Sequence, residues 1–211
     1  MTKKGLAARI REMRQSDVAG VIAGRLREFG EAGKAGTENI FCELCFCLLT
    51  ANFRAEKCME IQQELGQGFL CMDRDELALR LKEAGHRFWP QRAERIVKAR
   101  ECMDELGDVI GSGGFEARQW LVKNIKGLGM KEASHFLRNI GFRDLAIIDF
   151  HILDLMNREG LISFDRKRRS LTPKRYLEFE KILEVLAGEA GMDLAELDLW
   201  LWYMETGKVL K

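Results

Sequence analysis

The chain of 211 residues is long enough for one large domain or two small domains with an apolar core. Its composition, 46% hydrophobic and 32% charged, is that of a globular protein, and no apolar run approaches the roughly 20 residues of a membrane span. The formal net charge of +1 excludes the overall basic character of many nucleic-acid-binding proteins, so any basic surface must be local.

The first residues are basic but include neither an apolar core nor a small-residue cleavage site, so we expect no signal peptide and a cytoplasmic protein. Beyond them, apolar residues recur at steps of three and four, which predicts helices. These patterns cover residues 6–29, 41–49, 77–84, 93–103 and 176–186. Pro90 and Pro173 stand where helices can begin, and only residues 145–148 could form a buried strand. The sequence therefore predicts an all-α fold.

Three of the six cysteines, Cys42, Cys45 and Cys47, lie within one apolar helical segment. Their clustering is compatible with a metal or iron–sulfur site. However, the sequence has no second group of cysteine or histidine at ligand spacing. Free cysteine in an apolar helix behaves as a small core residue. We therefore predict core cysteines, with no metal and no cofactor.

Two stretches of the chain are locally basic. Residues 86–100 contain five Lys or Arg side chains and one acid, and a second cluster covers residues 166–169 and 174–175. Taken alone, each stretch is better interpreted as a solvated helix face or loop.

Residues 124–141 are the most informative segment, because they read as a helix, the tight turn Gly127-Leu128-Gly129 and a second helix. Glycines on both sides of one apolar residue permit a hairpin, and the N–H groups that open the second helix can bind a phosphate. This pattern is typical of the helix-hairpin-helix DNA clamp. The alternative is an ordinary corner between two helices.

Lys131 follows this turn and would lie in the first turn of the second helix. The positive end of the helix dipole and partial burial both favour the neutral amine there, and a neutral amine is a nucleophile. Asp149 follows the apolar residues 146–148 and precedes a helical pattern, so we expect it to cap that helix. A rigid, ionised carboxylate could also stabilise positive charge on a deoxyribose or help Lys131 lose its proton.

These features resemble the superfamily of endonuclease III and the 8-oxoguanine DNA glycosylases. The resemblance covers residues 38–211, and its most specific parts are the lysine segment 130–139 and the terminal Gly207-Lys208-Val209-Leu210-Lys211. Residues 47–52 and 85–88 also look like the compact archaeal-type branch of the 8-oxoguanine enzymes. The four-cysteine loop of endonuclease III is absent, since no cysteine follows Cys102.

The resemblance implies a bifunctional enzyme that turns a damaged nucleotide out of duplex DNA into a pocket between two helical lobes. Lys131 would attack the sugar carbon, and Asp149 would support the reaction electrostatically. Lys211 would read the oxidised base, although a last residue is more often a frayed tail. We also expect Trp202 to stack on the base with Trp200 in the core, Phe88 to face the other side of the base, and Asp198 to accept a hydrogen bond from the base.

Asn52 resembles the residue that fills the gap left in the duplex, but it could equally be a plain helix C-cap. His86, His135 and His151 have no visible acid–base partner, so we interpret them as structural or phosphate-facing. Two rival functions remain. The first is a glycosylase of the same superfamily that acts on oxidised pyrimidines or mismatched thymine. The second is a DNA-binding module without catalysis.

We expect two helical lobes with a DNA-binding active-site groove between them. Residues 36–140 would form a central bundle that ends in the hairpin, with Gly127 and Gly129 holding DNA. Residues 1–35 and 141–211 would form the second lobe, which carries Asp149 and the base-recognition tail. The expected partner is double-stranded DNA that contains oxidised guanine, and the protein is expected to be a monomer with no membrane association.

Overall fold

The computed structural model describes residues 5–165 and 171–211, and all regular structure in these two ranges is helical, which confirms the all-α prediction. The helices are α1 (Leu6–Met13), α2 (Val18–Ala32), α3 (Thr37–Thr50), α4 (Ala55–Leu65), α5 (Gly68–Cys71), α6 (Arg74–Glu83), α7 (Trp89–Ala99), α8 (Met103–Gly111), α9 (Gly114–Asn124), α10 (Met130–Asn139), α11 (Phe150–Arg158), α12 (Pro173–Ala190) and α13 (Leu194–Thr206). One 3-10 turn joins α7 to α8. The basic cluster predicted at residues 166–169 lies outside the described residues. None of the described helices combines the length and apolar composition that crossing a membrane requires.

Helix ends follow local capping chemistry. Pro173 occupies the first turn of α12, and the hydroxyl of Thr172 accepts the N–H of Arg175 at 3.3 Å. The apolar pattern over residues 6–29 is divided between α1 and α2. Ser16 lies in the break and donates its hydroxyl to the carbonyl of Met13 at 2.6 Å. Such a local side-chain bond competes with helix continuation, which explains why one periodic run forms two helices.

The first apolar core is built around α3. Residues 44–49 of this helix are at most 1% exposed, so this part of α3 is apolar on all sides, and it belongs to one cluster with buried residues of α4–α10. Cys45 and Cys47 are fully buried, which agrees with their predicted role as core residues.

The second apolar core is formed by α1, α2 and α11–α13. Trp200 is fully buried in it and donates its indole N–H to Glu196 at 3.3 Å. The first core draws its buried residues from positions 40–145, and the second from positions 6–29 and 146–201. On this distribution we propose the division into two lobes near residues 36 and 140.

Residues 145–148 connect the two cores as a buried extended segment. Its backbone forms hydrogen bonds with side chains and, among the described residues, not with a neighbouring strand. The carboxylate of Glu180 accepts the N–H of Ala146 at 2.8 Å, and the hydroxyl of Tyr176 accepts the N–H of Ile148 at 3.1 Å. Tyr176 also donates to the carbonyl of Ala146 at 2.8 Å. Because these bonds satisfy the buried backbone, the segment holds the start of α11 in a fixed position.

Candidate active site between the two cores

A cavity of about 960 Å³ lies between residues of the two cores, a size in the range of ligand-binding pockets. The end of α3, the first turns of α4, α10 and α11, and the C-terminal tail all contribute to its wall. The predicted site residues that line it are Asn52, Gly129, Lys131, Asp149, Asp198, Trp202 and Lys211, and His135 and His151 line it as well. Phe88 and Gly127 are not in its lining. The structure thus brings together side chains that lie up to 159 positions apart in the sequence (211 − 52).

The predicted hairpin joins α9 to α10 at the edge of this cavity. Gly127 has a φ of +103°, which is favourable only for glycine, and Leu128 anchors the turn in the first core at 5% exposure. Gly129 caps α10 and donates its N–H to the carboxylate of Glu132 at 3.2 Å. One N–H group at the helix N-terminus that we expected to bind phosphate therefore already donates to a carboxylate of the same helix.

We expect Gly127→Ala to lower the free energy of unfolding by about 1–2 kcal/mol, because a side chain at positive φ is strained. The added Cβ would also lie 2.6 Å from Cδ of Arg95, so the turn or Arg95 must shift. Gly107→Ala is the matched control: Gly107 lies in α8 with open space around its Cα, and alanine there should be neutral or stabilising. Urea unfolding of both variants measures the difference, and equal stabilities would contradict the assigned turn.

Lys131 lies in the first turn of α10, with its side chain 26% exposed. Its Nζ is 4.0 Å from a carboxylate oxygen of Glu132, at the limit of an ion pair. The side chain lines the cavity together with Asp149. The amine of Lys131 is therefore accessible from the cavity, although most of its side chain is covered by neighbouring residues.

Asp149 caps α11, and its Oδ1 accepts the N–H of Ile152 at 2.9 Å, which confirms the predicted capping. The buried segment 145–148 leads directly into it. The carboxylate is thus held from both sides and faces the cavity that also contains Lys131. A fixed negative charge in such a cavity favours positive charge that develops nearby.

Asp198 forms a buried ion pair with Arg138, and both residues line the cavity. Burial raises the pKa of Asp198 to about 6, and nearby Asp149 also raises it, whereas Arg138 and Lys131 lower it. Asp198 was expected to accept a hydrogen bond from the base, and its Oδ2 already accepts one from Arg138. Asp198 therefore links Arg138 electrostatically to Lys131 and Asp149.

The raised pKa predicts a pH dependence of stability. The folded protein binds the Asp198 proton more tightly than the unfolded chain, whose Asp pKa is about 3.9. The contribution of this group is therefore fully present below about pH 4 and is lost as the pH rises through about 6. The quantity to follow is the difference between the free energies of unfolding of the wild type and of Asp198→Asn. We expect this difference to decline by about 1–3 kcal/mol as the pH rises from about 4 to about 6. Urea titrations at pH 4–7 test this, and a constant difference would contradict it.

Trp202 and Phe53 are two of the aromatic residues that line the cavity, which also include Phe150 and Tyr176. The indole of Trp202 meets the ring of His151 edge-on, with centroids 5.3 Å apart, and its N–H is buried without a hydrogen-bond partner among the described residues. Phe53 packs against His86 at 4.2 Å. Phe53 was not singled out from the sequence, and its position next to Asn52 was the available signal.

Phe88 lies outside the cavity lining and packs under two cations. The guanidinium carbon atoms of Arg87 and Arg92 lie 5.1 and 5.6 Å from the centre of its ring. Its ring therefore stabilises basic side chains beside the cavity.

Asn52 forms the turn after α3 with a φ of +60°, and it alone among non-glycine residues of the described ranges has a positive φ. Two buried side chains hold this turn: Arg92 donates to the carbonyl of Ala51, and Nε2 of His86 lies 3.1 Å from the carbonyl of Leu49. Burial lowers the pKa of His86, whose Nδ1 accepts the N–H of Phe88. His86 is therefore a neutral structural residue.

Lys211 is tied to the first core. Its Nζ donates to Oε1 of Glu43 at 2.7 Å and lies 4.6 Å from the centre of the Phe46 ring, and its side chain is 17% exposed. Burial lowers the pKa of His135 well below its usual value, and this ring also contacts the backbone of Lys211. The frayed tail considered from the sequence is wrong, because Lys211 forms part of the cavity wall.

Known proteins provide an independent comparison. Residues 22–192 match the family model described as 8-oxoguanine DNA glycosylase. A relative from Korarchaeum cryptofilum, named 8-oxoguanine DNA glycosylase/AP lyase, is 50% identical over 96% of both chains. The crystal structure of the Methanocaldococcus jannaschii 8-oxoguanine glycosylase/lyase in complex with 15mer DNA containing 8-oxoguanine has a TM-score of 0.93 and 45% identity, covering 98% of this chain and 99% of that one. That of the Thermotoga maritima 8-oxoguanine DNA glycosylase has a TM-score of 0.91 and 43% identity over 98% of both. With this coverage and identity, and with a hairpin, a lysine and an aspartate meeting at one cavity, the chain belongs to the 8-oxoguanine DNA glycosylase family.

Proposed function

We propose that this protein is a bifunctional DNA glycosylase and AP lyase that excises 8-oxoguanine from duplex DNA in base excision repair. The observation that carries the proposal is the cavity that Lys131 and Asp149 both line, directly beside the Gly127-Leu128-Gly129 hairpin. A hairpin of this kind holds a phosphodiester. An amine and a carboxylate next to it are the groups needed to attack the adjoining sugar.

In the proposed reaction, the neutral amine of Lys131 attacks C1′ of the damaged nucleotide, and the bond from C1′ to the base breaks. The base leaves with a proton, and opening of the sugar gives an iminium linkage to Lys131. Loss of a proton from C2′ then expels the 3′ phosphate by β-elimination. Asp149 stabilises the positive charge that develops on the sugar. It also accepts the protons that the Lys131 nitrogen loses as the iminium linkage forms.

The walls of the cavity suggest how a flipped base is held. Trp202 offers a stacking face for the base, worth about 1–3 kcal/mol, and Phe53 is better placed than Phe88 for a second aromatic contact. We propose that Lys211 contributes to the choice between 8-oxoguanine and guanine, and that Asn52 fills the space left in the duplex. The ion pair of Asp198 with Arg138 forms part of the lining of the same cavity.

We further propose that the protein works as a monomer in the cytoplasm, with duplex DNA as its partner. One chain supplies the hairpin, the amine and the carboxylate of the same cavity. No second copy is needed to complete this arrangement.

Excision from three matched duplexes tests the proposed substrate. The duplexes carry 8-oxoguanine, thymine glycol or a G·T mismatch at one position, and single-turnover rates are compared at saturating protein. We expect the 8-oxoguanine duplex to be cut fastest. Faster cutting of either other duplex would assign the protein to a different substrate. Binding without any cutting would indicate a DNA-binding module that lacks catalysis.

A further inference from the structure

The carboxylate of Glu43 in α3 forms the centre of a polar cluster that no step of the proposed reaction uses. Its Oε1 accepts hydrogen bonds from Gln62 at 3.0 Å and from Lys211 at 2.7 Å, and its Oε2 accepts one from Asn139 at 3.3 Å. The donors come from α4, α10 and the C-terminal tail. The side chain of Glu43 is only 15% exposed, so its charge requires a counter-ion.

Lys211 supplies that counter-ion, and within the described residues no other cation forms an ion pair with Glu43. Arg138, a buried cation of α10, is committed to Asp198 and to the amide oxygen of Asn139. The ammonium of Lys211 also lies over the Phe46 ring at 4.6 Å, and such a contact favours a desolvated cation. The ammonium of Lys211 therefore has both a carboxylate and an aromatic ring of the protein as partners.

We propose that Glu43 is a positioning residue: it anchors the side chain of Lys211 so that the last two residues of the chain form a fixed wall of the cavity. In this arrangement the ammonium acts as an anchor, and the remainder of Lys211 with Leu210 borders the cavity. The effect on the choice of base rests on the proposed function, whereas the anchoring itself does not.

A carboxypeptidase that removes basic C-terminal residues measures the anchoring without any catalytic assay. Release of Lys211 from the 211-residue chain is followed by intact mass for the wild type and Glu43→Gln. We expect release to be roughly tenfold faster or more in Glu43→Gln, because hydrogen bonds between charged groups are that strong. Glu56→Gln is the matched control. It removes the other ion pair of the tail, from Lys208 to Glu56 at 2.7 Å, but both of those side chains are about half exposed, and release should stay at the wild-type rate.

The role in base selection has a separate readout. The ratio of single-turnover rates on 8-oxoguanine and guanine duplexes should fall about tenfold in Glu43→Gln, in Lys211→Met and in the double variant alike, because the two groups act as one unit. A wild-type ratio in Glu43→Gln, or losses that multiply in the double variant, would overturn this role.

Should Glu43→Gln lose its cooperative melting transition, Glu43→Asp takes its place, with faster release again expected. Wild-type release in the folded variant would overturn the anchoring. A wild type that cuts no 8-oxoguanine would refute the proposed function while the release assay still decides the anchoring.

Discussion

Lys131→Gln should abolish covalent trapping and lower the rate of strand cleavage on an 8-oxoguanine duplex by roughly 10³-fold or more. Glutamine has nearly the same length as lysine but lacks a nucleophilic amine, so no iminium linkage can form. A factor of 10³ corresponds to about 4 kcal/mol of lost transition-state stabilisation. The measurement is single-turnover cleavage with and without borohydride, which reduces the iminium to a stable amine and leaves the protein attached to the DNA.

Lys126→Gln provides the matched control for this experiment. Lys126 lies on the other side of the same hairpin, is 67% exposed, and forms an ion pair with Glu94 at 2.9 Å. Its loss could remove a phosphate contact, which saturating protein overcomes, but it should leave trapping intact. Normal trapping by Lys131→Gln would exclude the proposed mechanism, and loss of trapping in both variants would point to DNA binding as the affected step.

The hairpin and its two charged residues could be predicted because their signals are local. Gly127-Leu128-Gly129, Lys131 in the following turn, and Asp149 after an apolar run each depend on neighbours within a few positions. Backbone conformation and capping are decided over that distance. This explains why the positions of the turn and of the cap agree with the structure, while the catalytic roles remain proposals.

The surroundings of the cavity could not be predicted, because they depend on pairs that are distant in the sequence. Glu43 and Lys211 are 168 positions apart, and Arg138 and Asp198 are 60 apart. No periodicity indicates which buried carboxylate meets which cation. For the same reason the ring of Phe88 was predicted at the base, although the fold places it beneath Arg87 and Arg92 and brings Phe53 to the cavity instead.

The buried ion pair between Arg118 and Glu180 gives the second large expected effect. Both side chains are at most 6% exposed, and the guanidinium donates to the two carboxylate oxygens at 2.6 and 2.8 Å. Glu180→Ala leaves the charge of Arg118 buried and uncompensated, and it also removes the acceptor of the Ala146 N–H. We expect the free energy of unfolding to fall by about 3–5 kcal/mol. For a chain of this length the melting temperature should fall by roughly 6–20 °C.

An exposed ion pair gives the comparison that isolates burial as the cause. Lys34 and Glu31 form a pair at 2.9 Å with both side chains 73% exposed, and Glu31→Gln should change the free energy of unfolding by less than about 0.5 kcal/mol. Replacing both buried partners, as in Arg118→Met with Glu180→Leu, removes the unpaired charge and should recover much of the stability lost in Glu180→Ala. If the double variant is no more stable than Glu180→Ala, the lost stability would come from the unpaired N–H of Ala146 and not from the uncompensated charge of Arg118. Because Ala146 begins the segment that leads to Asp149, cleavage measured on the same variants would then show whether this backbone bond also positions the carboxylate.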